Sequence, residues 1–101
     1  MNGPSFEIHV LENAIELKAD GELTSNNERV FRLQLLKLLQ QERSKSFKLN
    51  LRQASAIDSS CIRLIYILKR RLTAVRASIV IEMPESLDKK IFDFKTDFLN
   101  P

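Results

Sequence analysis

The sequence predicts an α/β domain built on a mixed sheet of four or five strands, with helices mainly on one face. Three observations lead there. Short segments alternate apolar and polar residues, the period of strands with one buried face. Two longer segments place apolar residues three and four apart, the period of amphipathic helices. The stretch from Phe47 to Arg76 joins one of each: Phe47, Leu49 and Leu51 alternate with Lys48, Asn50 and Arg52, after which Cys61, Leu64, Ile65, Leu68, Leu72 and Val75 form one helical stripe. Ser78-Ile79-Val80-Ile81 then reads as a strand reached through a crossover helix. The strands on either side of that helix are therefore parallel, as neighbours or near neighbours, with a right-handed connection.

The other elements follow in chain order. Phe6, Ile8 and Val10 alternate with Glu7 and His9, giving a first strand with His9 on its polar face. Glu12-Asn13 is a turn signal, and Ile15, Leu17 and Ala19 give a second strand, so the pair forms a hairpin, and Asp20-Gly21 ends the second strand. Ser25 to Glu28 has the Ser-x-x-Glu pattern of a capping box, predicting a helix from Asn26 to Gln41 with Phe31, Leu35 and Leu38 inward. Val30 and Leu33 lie off that stripe, either exposed or covered by the chain termini. Glu42 to Ser46 is a polar connection. Met83-Pro84-Glu85-Ser86 leads from the last strand into a helix spaced by Leu87, Ile91 and Phe94, and the aromatic tail is expected to pack back on the domain.

At 101 residues, 44% of them hydrophobic, the chain suits one compact domain spanning residues 1–101. No apolar run approaches the roughly 20 residues needed to cross a bilayer, and the N-terminus lacks the character of a signal peptide, so a cytoplasmic protein without membrane insertion is expected. The single cysteine agrees with this. A net charge of +3, with Lys69-Arg70-Arg71 and Lys89-Lys90 as the only basic clusters, lacks the dense stripe with interleaved aromatics of a nucleic-acid binder. These clusters read as solvated helix faces; a basic docking surface for an acidic protein partner is the alternative.

The junction between strand and helix, Ile57-Asp58-Ser59-Ser60-Cys61, concentrates the functional interest. Asp58, Ser59 and Ser60 stand at a helix N-terminus, where their oxygens can accept from free backbone amides and the helix dipole favours an anion. On spacing alone these are ordinary caps. However, strand, Ile-Asp-Ser-Ser and helix, in a chain of this length, resemble the STAS domain of bacterial anti-sigma factor antagonists and sulfate transporters. That family's motif is Asp-Ser-Ser-Gly before a leucine-rich helix. Gly21-Glu22-Leu23 and Leu49-Asn50-Leu51 extend the resemblance to the family's Gly-x-Leu turn and Leu-Asp-Leu strand.

The resemblance implies that Ser59, directly after the Asp, is phosphorylated by a partner kinase. It also implies that the protein is an anti-sigma factor antagonist whose partner is an anti-sigma factor of the serine kinase type. The sequence departs from the family at Cys61, Thr24 and Asn50, which replace a Gly and two Asp residues; in a typical member those carboxylates would lie near the phosphoacceptor loop. A STAS subunit that binds constitutively, as in stress-signalling scaffolds or lipid-transport complexes, is therefore carried alongside, as is an anion sensor.

Catalysis and cofactors are not expected. No histidine stands at motif spacing to activate Ser59 or Ser60, neither glycine belongs to a phosphate-binding loop, and His9 has no companion ligand for a metal. Cys61 falls on the apolar arc and reads as an inert core thiol. Ile62, Arg63, Tyr66 and Arg70 lie opposite the core stripe, on the side of Ser59. An exposed isoleucine and tyrosine between arginines has the composition of a protein-binding patch, so these four, with Asp58 and Ser60, are the expected partner contacts.

Overall fold

The computed structural model describes residues 3–41 and 46–84. Strands β1 (Ser5–Val10) and β2 (Ile15–Leu23) are followed by a single 3-10 turn at Ser25–Asn27 and helix α1 (Glu28–Leu39). Strand β3 (Ser46–Ile57), helix α2 (Ser59–Ala74) and strand β4 (Ser78–Glu82) complete the described elements. The strands form one four-stranded sheet in the order β1-β2-β3-β4. β1 and β2 are antiparallel, joined by a tight turn in which the Leu11 N–H donates to the Ala14 carbonyl at 2.8 Å. β2 with β3, and β3 with β4, are parallel.

Both parallel connections step across the sheet in the same direction, and right-handed crossovers of that kind put their helices on one face. The core lies between that face and the helices. Leu17, Ala19, Leu49 and Leu51 rise from the central strands to meet Phe31 and Leu38 of α1 and Cys61, Ile65 and Leu68 of α2. Phe6 on the edge strand stacks on Phe31, with ring centroids 6.1 Å apart, tying the hairpin to α1. The opposite face is polar. Lys48 on β3 lies 2.8 Å from Glu82 on β4 and 3.6 Å from Glu16 on β2, and the Asn50 amide donates to Glu16 at 3.3 Å. The bond to Glu82 raises the Lys48 pKa, while the same bond lowers that of Glu82.

Several sequence expectations are corrected. β2 does not stop at Asp20-Gly21 but continues to Leu23. Gly21, at φ +96, absorbs a register shift against β3 inside the strand instead of turning the chain out of it. The capping box at Ser25 does not form: α1 begins at Glu28, the Asn27 side chain caps no helix amide but donates to the Glu22 carbonyl at 3.0 Å, and the Glu28 carboxylate pairs with Arg32 at 3.3 Å. Val75 is 69% exposed, because α2 ends at Ala74 and Arg76 turns the chain at φ 60. For Val30 and Leu33, the first of the two alternatives holds: both are exposed. The helix and tail expected after Pro84, and most of the Glu42 to Ser46 connection, lie outside the described residues.

Candidate functional site: the Asp58 junction

β3 delivers Asp58 to the end of the sheet, alongside the end of β2, because the register pairs Leu23 with Ile57. The Asp58 N–H continues that pairing by donating to the Leu23 carbonyl at 3.0 Å. Its carboxylate then serves two elements. Oδ1 accepts from the Ser60 hydroxyl at 2.6 Å and from the Cys61 N–H at 3.3 Å, capping α2. Oδ2 accepts from the Ser25 N–H at 2.5 Å, holding the turn that leads into α1. These donors, the Ser60 hydroxyl foremost, hold the Asp58 carboxyl below the usual carboxylate range against the opposing effect of partial burial.

The two serines are used differently. Ser60 is half-buried and its hydroxyl is taken up by Asp58. Ser59 is exposed on the first turn of α2. Behind them Cys61 is fully buried, its thiol donating to the Thr24 carbonyl at 3.6 Å. Burial, with the nearby Asp58 charge adding to it, pushes the Cys61 thiol up to about 11, so almost no thiolate is present at neutral pH.

The outer face of α2 differs from the one expected. Arg63 and Arg70 are exposed, but Ile62 and Tyr66 are 6% and 7% exposed, buried apart from the main core cluster. The reason is geometric: at about 100° per residue, the buried positions from Leu64 through Cys61 to Tyr66 cover roughly 200° of the helix, far more than one stripe against a sheet. The exposed row is Arg63, Ile67, Arg70 and Ala74. Ile67, 45% exposed, was missed by the sequence reading, although its spacing of four from Arg63 and three from Arg70 places it in their row.

Of the two positions where family carboxylates are replaced, only Thr24 lies at this junction, through its contact with Cys61. Asn50 pairs with Lys18, whereas the junction residue Ile57 pairs with Leu23, so the two pairs stand about 17 Å apart measured along β2. Asn50 faces Glu16 on the polar side of the sheet. Among the described residues no group of three or more His, Cys, Asp or Glu is placed to hold a metal ion. None of their helices is long and apolar enough to cross a membrane.

The sequence profile of the STAS domain matches residues 5–97. The chain belongs to the STAS domain family. The STAS fold is equally evident in solved structures. The anti-sigma factor antagonist SpoIIAA in its unphosphorylated form is 23% identical, with 89% of this chain and 83% of that one covered and a TM-score of 0.70. The Bacillus cell fate determinant SpoIIAA in its phosphorylated form matches with the same identity and TM-score, over 90% of this chain and 83% of that one. An anti-sigma factor antagonist from Mycobacterium paratuberculosis reaches a TM-score of 0.77 at 10% identity, covering 98% and 84%. Comparison with curated proteins returns no significant match. Over so wide a range of sequence identity, what this STAS chain shares with those structures is the fold.

Proposed function

We propose that this STAS protein is an anti-sigma factor antagonist that acts by binding, not catalysis, and that phosphorylation of Ser59 switches the binding off. The observation that carries the reading is the division between the serines: Asp58 engages the Ser60 hydroxyl, while Ser59 stands exposed at the same helix end. The structural likeness to SpoIIAA, known in unphosphorylated and phosphorylated forms, supports it. The partner is an anti-sigma factor of the serine kinase type. It would meet Ser59 and the rim formed by Asp58 and Ser60, with Arg63 and Arg70 on the exposed row of α2. Ile62 and Tyr66, being buried, would shape that surface from beneath. Phosphorylation adds about −1.5 to −2 charges, opposing association by repulsion and by the cost of desolvating the phosphate.

A second reading, a STAS subunit that binds its partner constitutively, is favoured by Thr24, which puts a neutral side chain where the family carries a carboxylate at the junction. One experiment separates them. The protein is incubated with a kinase-type anti-sigma factor and ATP, the modified residue is located by mass spectrometry, and affinity is measured for wild type and for Ser59→Asp. The switch requires phosphate on Ser59 and at least about a tenfold loss of affinity in Ser59→Asp, about 1.4 kcal/mol. Phosphate on Ser60 alone would refute the assignment. Equal affinity of wild type and Ser59→Asp, combined with a loss in Arg63→Ala or Arg70→Ala, would establish constitutive binding.

A further inference from the structure

We propose that the cleft between α1 and α2 is a second docking site, which receives an acidic amphipathic helix of a partner protein. Because both helices return the chain between parallel strands, they run in the same direction and leave a trough between the C-terminal part of α1 and the middle of α2. The trough has a volume of about 350 Å³. Its floor is apolar, formed by Leu35 and Leu39 of α1 and Leu64 and Leu68 of α2. Its rims are apolar too: Leu36 is 41% exposed and Ile67 is 45% exposed.

Charge identifies the occupant. Arg32 and Arg71 stand at the edges of the trough. α1 carries Arg29, Arg32 and Lys37 against Glu28 alone, and α2 carries Arg63, Lys69, Arg70 and Arg71 with no carboxylate. Glu28 is already paired with Arg32. Among the described residues, the carboxylates of Glu16 and Glu82 lie on the opposite, polar face of the sheet, paired with Lys48. A second copy of this chain would bring like charge against like. A nucleic acid would find no aromatic in the trough to stack on. A lipid surface would meet a concave site, whose leucine floor lies out of reach of a flat headgroup layer. A helix with apolar side chains at i, i+4 and i+7 and carboxylates on its flanks fits all of these features. The trough, from Arg32 to Leu39, extends about 10 Å, enough for two turns of such a helix.

This site borders the row of Arg63 and Arg70 at Ile67 but contains none of Asp58, Ser59 and Ser60 and extends onto α1, so either site can fail without the other. The test is a titration of the ¹⁵N-labelled full chain with a synthetic helical peptide carrying leucines at i, i+4 and i+7 and flanking glutamates, beside a control with lysines for glutamates. We expect saturable shifts at the amides of Leu36, Leu39, Ile67 and Arg71, weakening as salt is raised. Ile67→Asp and Arg71→Glu, both at exposed positions where the fold is not at stake, should each lower affinity about tenfold. Ser59→Asp should leave it within about twofold. Equal binding of the lysine peptide, no saturable binding, or shifts confined to Asp58–Ser60 would each overturn the proposal. So would failure of the acidic peptide together with Ile67-dependent co-sedimentation with phosphatidylcholine and phosphatidylglycerol vesicles, or Ile67-dependent self-association in sedimentation velocity.

Discussion

Asp58 does more for this protein than a helix cap ordinarily does, because its two oxygens are committed to different elements. Its replacement by Ala should cost about 1–2 kcal/mol, the range for a lost N-cap, towards the upper end because the Ser25 amide also loses its acceptor. Denaturant melts of the two proteins check this. The pKa of the folded carboxyl is lowered, so its contribution is complete above about pH 4 and is lost as pH falls through the folded value. Asp58→Asn should therefore flatten the acid limb of the stability profile without changing its neutral plateau's shape. At Cys61 the expectation is kinetic. A fully buried thiol with its pKa raised to about 11 should react with a disulfide reagent only through opening of the fold, so its labelling rate should track denaturant. Rapid labelling of native protein would contradict the burial. The sequence identified Asp58 as a cap and Cys61 as a core thiol from helical phase. It could not identify the Ser25 amide as a donor, because that bond spans 33 residues and depends on the register of β2 against β3.

At the scale of elements, Gly21 is the informative case. A Cβ there would stand 3.2 Å from Pro4 Cα, on a backbone at φ +96 that other residues adopt only with strain. Gly21→Ala should destabilise by about 1–3 kcal/mol, measured by thermal or urea unfolding, and the loss should exceed that of Ser5→Ala on the neighbouring strand. The glycine was visible in the sequence, but its meaning was not. A turn and an in-strand register shift both need the same backbone freedom, and only the pairing partners tell them apart. Strand identity was legible throughout, since alternation survives on the three strands that frame the core: Ile15 to Ala19, Phe47 to Leu51 and Ile79 to Ile81. Helix ends were less so. Ser-x-x-Glu before α1 satisfies the pattern of a capping box, yet the Ser25 amide goes to a distant carboxylate and the Glu28 side chain to Arg32.

At the scale of the molecule, one apolar layer lies between sheet and helices, and among the described residues the helices carry most of the positive charge. Leu49, with no exposed surface at the centre of β3, should be among the costliest truncations: Leu49→Ala is expected to lose about 2–5 kcal/mol, against less than about 0.5 for exposed Leu33→Ala. Equilibrium denaturation of both variants checks the location of the core. The layered architecture was legible from two periods alone. The width of the buried arc on α2 was not, because helical phase tells which residues share a side and not how many sides are covered; Ile62 and Tyr66 were misjudged for that reason.

The bond from the Ser25 amide to Asp58 has a consequence for which substitutions this loop can accept. The bond uses backbone, so the side chain at position 25 is free to vary, and Ser25→Ala should be silent where a capping box would have made it costly. Proline is the exception. Thr24, at φ −115 and ψ 176, already has the extended backbone that a following proline requires, and the first position of a helical turn suits the proline ring. Ser25→Pro would thus remove one N–H and little else. In a saturation library read out by folding, position 25 should tolerate almost every residue, with proline the one reproducibly depleted.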